Sequence, residues 1–142
     1  MLLTKEEIEA IIPHRQPFLL IDSIIELTPT KHAVGIKYVT NEEYWIPGHF
    51  PGMPVMPGVL IIEALAQVCA VCVLTADEFK GRVAYFAGIE NAKFRRKVIP
   101  GDILRLEVEI SKIRHQYGIG KFKAFVGDEI ACEAQCSFVF GS

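Results

Sequence analysis

The sequence has no marked excess of charge of either sign, few cysteines and no long apolar run free of polar residues. Its basic and acidic residues, 15 against 17, nearly cancel, so no nucleic-acid partner is expected. The N-terminus has no basic segment followed by an apolar run, so no signal peptide is expected. The longest apolar run is interrupted by Glu63 and Gln67 and falls short of a membrane span, which excludes a membrane partner at this stage. These absences point to the cytoplasm, or to an organelle reached through a removed targeting segment. There is no internal repeat and no low-complexity tract. The four cysteines are Cys69, Cys72, Cys132 and Cys136. Cys69 and Cys72 have the C-x-x-C spacing of redox and zinc sites, but they sit in the middle of the apolar run with no histidine near them in sequence. All four are expected to be small core residues in a reducing compartment, with no metal implied.

About half of the 142 residues are apolar, 51%, which suffices for a single domain over residues 1–142 with a core of its own. Thr4 and Glu7 form a capping box that opens a short helix, which Pro13 ends at Ile12. The apolar residues 18–27 predict a strand, 28–31 a turn and 33–40 a second strand. Residues 41–57 carry Pro47, Pro51, Pro54 and Pro57 with Gly48 and Gly52, which makes a stiff loop. Gly58 opens an apolar helix running to about Leu74, and a polar, mobile connection is expected at 77–81. Strands are predicted over 83–89, 92–98, 104–110, 119–126 and 130–140, with Gly127 and Asp128 as a hairpin turn. In the last strand Ile130, Cys132, Ala134, Cys136, Phe138 and Phe140 share a face. The fold class is therefore α+β: one long helix and an antiparallel sheet curled around it. A helix apolar all round must be covered on all sides, and one sheet covers only one, so a second copy of the chain is expected to supply the rest.

Glu63 is the one charged residue of that helix, and a carboxylate buried there is costly unless something compensates it. His49 lies in the stiff loop just before it. The first amides of the helix, those of Gly58 and Val59, lack intrahelical partners and carry partial positive charge. Gly58 has no side chain to keep a ligand away, so these amides fit a carbonyl oxygen that gains charge. A thioester carbonyl polarised there acidifies its α-hydrogen, and a neutral imidazole can take that proton. A carboxyl kept protonated by burial can donate to a leaving hydroxyl. Gln67, one turn after Glu63, can hydrogen-bond the carboxyl and fix its rotamer. Together these parts match the elimination of water from a β-hydroxyacyl group. Taken singly, each has a plainer reading: Glu63 as the partner of an arginine elsewhere, His49 as a structural hydrogen-bonder, and the prolines as the means to a tight crossing.

The ordered set His49-Phe-Pro-x-x-Pro-x-x-Pro-Gly-Val-Leu-x-x-Glu63-Ala-x-x-Gln67 resembles the signature of the β-hydroxyacyl-acyl carrier protein dehydratases of type II fatty acid synthesis, the FabZ type. Further matches are Pro13-His-Arg-x-Pro-Phe-Leu-Leu-Ile-Asp22, Tyr85-Phe-Ala-Gly-Ile89, Phe94-Arg and Pro100-Gly-Asp102. Two residues depart from the pattern. Gln16 stands where an aromatic is common, and Lys97 where proline often follows. The resemblance implies the hot-dog fold, a long central helix wrapped by a curled antiparallel sheet, in a homodimer and often a trimer of dimers. It implies His49 as base at the α-carbon, facing Glu63 of the other subunit. Glu63 would act on the β-hydroxyl, and the Gly58 amide would bind the thioester carbonyl. It implies no cofactor: the acyl chain arrives on the phosphopantetheine of acyl carrier protein. Tyr85 and Phe86 would help close an acyl tunnel, and the basic run Lys93, Arg95, Arg96 and Lys97 would dock the carrier, although a charge run alone is equally a solvated strand face. Three rivals remain: a dehydratase that also isomerises, a hot-dog thioesterase and a silent carrier-binding module. The relatives that isomerise carry Asp in place of Glu63, a thioesterase has no need of His49, and a silent module needs neither residue.

Overall fold

The computed structural model describes residues 2–15, 18–49 and 52–141. Gln16, Pro17, Phe50 and Pro51, which belong to the motifs above, lie outside the described residues. Helix α1 spans Lys5–Glu9 and begins with the expected capping box, Thr4 and Glu7 each bonding the other's backbone. Strands β1 (Ser23–Thr28) and β2 (His32–Tyr38) follow, then α2 (Gly58–Leu74). The chain finishes with β3 (Ala84–Phe94), β4 (Ile103–Arg114), β5 (Tyr117–Val126) and β6 (Glu129–Phe140). The six strands make one antiparallel sheet in the order β1-β2-β4-β5-β6-β3.

The sheet curls around α2, which touches all six strands. Gly35 of β2 shows how closely they pack: a Cβ there would stand 2.6 Å from Cγ2 of Val68. Every residue of α2 from Ala64 to Leu74 is buried within one chain. This corrects the expectation that a second copy must cover the flanks of the helix. The curled sheet, with Ile8, Ile12, Leu19 and Leu20 of the N-terminal segment, already encloses its last three turns in one core. The open part of α2 is its first turn, where Val59 is 72% exposed.

Two strands and one connection differ from the sequence reading. Residues 18–22 are no strand. The Leu20 amide bonds instead to the Gln67 side chain at 2.8 Å, so a polar group on α2 holds this segment. The two strands expected over 83–98 are one, β3, whose register shifts between Glu90 and Lys93 where Asn91 takes a positive φ of 55°. Asn tolerates this left-handed conformation, so the strand bulges and runs on to Phe94. The connection after α2 is anchored by Phe79, buried and stacked on Phe140 at 4.1 Å between ring centroids. In β6 the expected face from Cys132 to Phe140 does point into the core. All four cysteines are buried there as free thiols, and burial pushes those of Cys72 and Cys132 up to about 11. No helix among the described residues is long and apolar enough to cross a membrane.

Candidate active site

The loop that carries His49 is tied to itself before it meets the helix. The Val55 amide donates to the His49 carbonyl at 2.9 Å, and the His49 Nδ1 lies 2.8 Å from the Val55 carbonyl. A carbonyl only accepts, so Nδ1 carries the proton and donates. In the neutral ring the lone pair is then on Nε2. The His49 amide itself donates to the Trp45 carbonyl at 3.1 Å. Imidazole and backbone are thus held at three points, which a proline-rich segment achieves at little entropic cost.

His49 lines a cavity of about 470 Å³ together with Gly58, Val59, Met56, Phe94 and the run 95–98. No side chain caps the N-terminus of α2. Among the described residues, the first helix amides with an acceptor are those of Leu60 and Ile61, both bonded to the Pro57 carbonyl. The amides of Gly58 and Val59 therefore have no acceptor among the described residues, at the positive end of a helix dipole and on the cavity that His49 lines. The sequence reading took Gly58 as a gap left for a ligand. The fold gives a different reason for glycine: the Phe94 ring occupies that side, and a Cβ would stand 2.6 Å from its Cε1.

Glu63 does not line this cavity. It lies five residues after Gly58, roughly 140° further round the helix axis, and faces the segment that follows α1. There its Oε2 accepts from Nε2 of Gln67 at 2.9 Å and lies 3.3 Å from Nε2 of His14. Gln67 is fully buried and bridges further, donating also to the Phe18 carbonyl and accepting from the Leu20 amide. The expected rotamer-fixing bond is present, and the same amide pins the backbone of 18–20. The expectation of a protonated carboxyl does not hold in the chain as described. Burial, the largest single influence, does push the Glu63 carboxyl up. The His14 and Gln67 hydrogen bonds, with the charge on His14 when protonated, outweigh it and leave the carboxyl below its ordinary range. His14 is the residue that sequence reasoning did not single out. Its signal was present in the Pro13-His-Arg match, but nothing in the spacing ties it to Glu63, 49 positions away.

The remaining expected residues divide. Arg95 and Arg96 line the His49 cavity and are engaged in ion pairs, Arg95 with Glu133 and Arg96 with Asp102 and Glu129. Lys97 lines it too, while Lys93 sits opposite Glu133 across β3 and β6. Phe86 is half-buried against the ring of Phe138, and Tyr85 lies on the exposed side of β3 against Gly141. Neither lines the His49 cavity within one chain.

A single long helix wrapped by a curled antiparallel sheet places the chain in the class of hot-dog folds. A FabA-like domain model matches residues 12–135. The curated 3-hydroxyacyl-[acyl-carrier-protein] dehydratase FabZ of Clostridium botulinum (strain Kyoto / Type A2) is 60% identical over 135 residues, covering 95% of this chain and 94% of the relative. That of Clostridium novyi (strain NT) is 58% identical over 141 residues, 99% of each. The chain belongs to the FabA-like family and, within it, to the FabZ dehydratases. Among solved structures, the dehydratase heterocomplex ApeI:P from Xenorhabdus doucetiae superposes with a TM-score of 0.82 at 14% identity, over 95% of this chain and 91% of that one. A sigma28-regulated virulence protein from Campylobacter jejuni gives 0.72 at 19% identity, over 95% of each. At these identities the two structures speak for the hot-dog fold alone.

Proposed function

We propose that this protein removes water from (3R)-hydroxyacyl groups carried on acyl carrier protein, giving the trans-2-enoyl thioester. The observation that carries this reading is the shared cavity of His49 and the unbonded Gly58 and Val59 amides, and the FabZ relatives support it. The two amides hold the thioester oxygen as charge gathers there. Nε2 of His49 takes the α-proton, the electron pair forms the Cα=Cβ bond, and the Cβ–O bond breaks. Glu63, as a carboxylate, accepts a hydrogen bond from the β-hydroxyl and holds it toward departure. The imidazolium returns its proton to the leaving hydroxide, so water forms and both side chains regain their starting states. No electrons leave the substrate, so the reaction calls for no redox cofactor.

Within one chain Glu63 faces away from the cavity, so the complete site takes Glu63 from a second copy. The route to that copy is β3, which forms one edge of the sheet and exposes Tyr85, Ile89 and Phe94. An apolar edge strand of this length invites pairing with its own equivalent, which also brings the open first turns of two α2 helices together. A trimer of such dimers is the larger assembly implied by the family. Lys93 and Lys97, for which no ion pair is found among the described residues, are the cations we assign to carrier docking.

The test is the reverse reaction. Crotonyl thioester on acyl carrier protein should lose its enoyl absorbance as water adds, without release of free thiol. Thiol release would make the protein a thioesterase, and tight binding without reaction a carrier-binding module.

A further inference from the structure

We propose that His14 is a positioning residue that acts through Glu63: its Nε2–H holds Oε2, with Oε1 left to the substrate. The proposal rests on the reading of Glu63 as the group that meets the β-hydroxyl. Oε2 is occupied twice, by Nε2 of Gln67 at 2.9 Å and by Nε2 of His14 at 3.3 Å. Oε1 has no partner among the described residues. Two donors on one oxygen fix the carboxylate plane and leave a single acceptor face open.

The His14 ring is set for this role. Its Nδ1 is buried without a hydrogen-bond partner among the described residues. In the neutral ring, a proton on Nδ1 would be buried with no acceptor, so the tautomer that fits carries it on Nε2, facing Glu63. The neighbouring guanidinium does not compete for Glu63, because Arg15 donates to the carbonyls of Ile12 at 3.0 Å and His14 at 2.8 Å. Those bonds tie the Arg15 side chain back to its own segment. Among the described residues, the groups that face Glu63 are Gln67 from its own helix and His14 from the segment after α1, joined in the proposed dimer by His49 of the second copy.

The test uses the whole protein in its own assembly, with Glu side chains labelled at the carboxyl carbon and the Glu63 signal assigned by its loss in Glu63→Gln. In His14→Ala the Glu63 carboxyl should titrate at higher pH than in the unaltered protein. Turnover should fall roughly ten- to a hundredfold at nearly constant KM, the range for losing a hydrogen bond to a charged group. His14→Gln, whose amide nitrogen reaches the position of Nε2, should recover most of both. A Glu63 titration that stays in place in both variants would overturn the proposal. A displaced titration with unchanged kcat would uphold the contact and overturn the role of Glu63 in the reaction, so the two failures are distinguishable.

Discussion

The ring of Phe94 lies against Gly58, with Cε1 only 2.6 Å from the point where a side chain would begin. The last residue of β3 thus packs on the first residue of α2, at the cavity that His49 lines. Gly58→Ala must push the ring aside, at a cost of about 1–3 kcal/mol for overpacking. Combining it with Phe94→Leu should restore part of the loss. Urea unfolding midpoints of the single and double variants measure this, and simple additivity would show that the contact is not the cause.

His49→Ala should lose at least a hundredfold in dehydration rate, about the lower end for removing a general base. Its circular dichroism should be unchanged, since the loop backbone keeps its own bonds to Trp45 and Val55. Steady-state rates settle the point, and turnover like that of the unaltered protein would remove the proposed base.

If the site is shared between copies, two inactive variants should complement each other. Mixing and reassembling His49→Ala with Glu63→Gln makes mixed dimers in which one of two sites is intact. Activity should recover to about a quarter of the unaltered level, as random pairing in a two-fold dimer requires. No recovery, with mixed dimers verified by mass spectrometry, would place both residues in the same chain's site.

Gln67 satisfies the Leu20 amide and the Phe18 carbonyl from inside the core. Gln67→Leu leaves both backbone groups without their partner and should destabilise the fold by about 1–3 kcal/mol for each group that stays dry. Hydrogen exchange should report it locally, with the Leu20 amide losing protection before the sheet does.

The depressed Glu63 carboxyl also gives stability a pH dependence of known sign. A group whose folded value lies below its unfolded one stabilises the fold above the unfolded value, and loses that contribution as pH falls through the folded one. The stability difference between the unaltered protein and Glu63→Gln should therefore be flat above the ordinary carboxylate value of 4.5 and shrink below it. The effect is modest, because the side chain is only partly buried. Denaturant titrations at several pH values check it, and a difference that grows toward acid would reverse the sign.

Local chemistry accounts for the elements that were readable in advance. The capping box at Thr4 and Glu7, the α2 limits Gly58 and Leu74, and the alternating face of β6 each follow from signals a few residues apart. The segment 18–22 and the strand β3 were misread for different reasons. The partner of the first is a side chain 47 positions away, and the second crosses a bulge that composition alone reads as a break.

By itself, the sequence determined that one apolar helix would sit inside a curled sheet, and it picked out His49, Gly58, Glu63 and Gln67 as the candidate site. Apolar periodicity and the ordering of rare polar residues are properties of the chain. Tertiary structure alone decided that Glu63 turns away from the cavity that His49 lines, that His14 and Gln67 meet its Oε2, and that Phe94 is what requires glycine at 58. Those relations depend on the angle around a helix and on groups brought together from distant segments, and spacing along the chain carries neither.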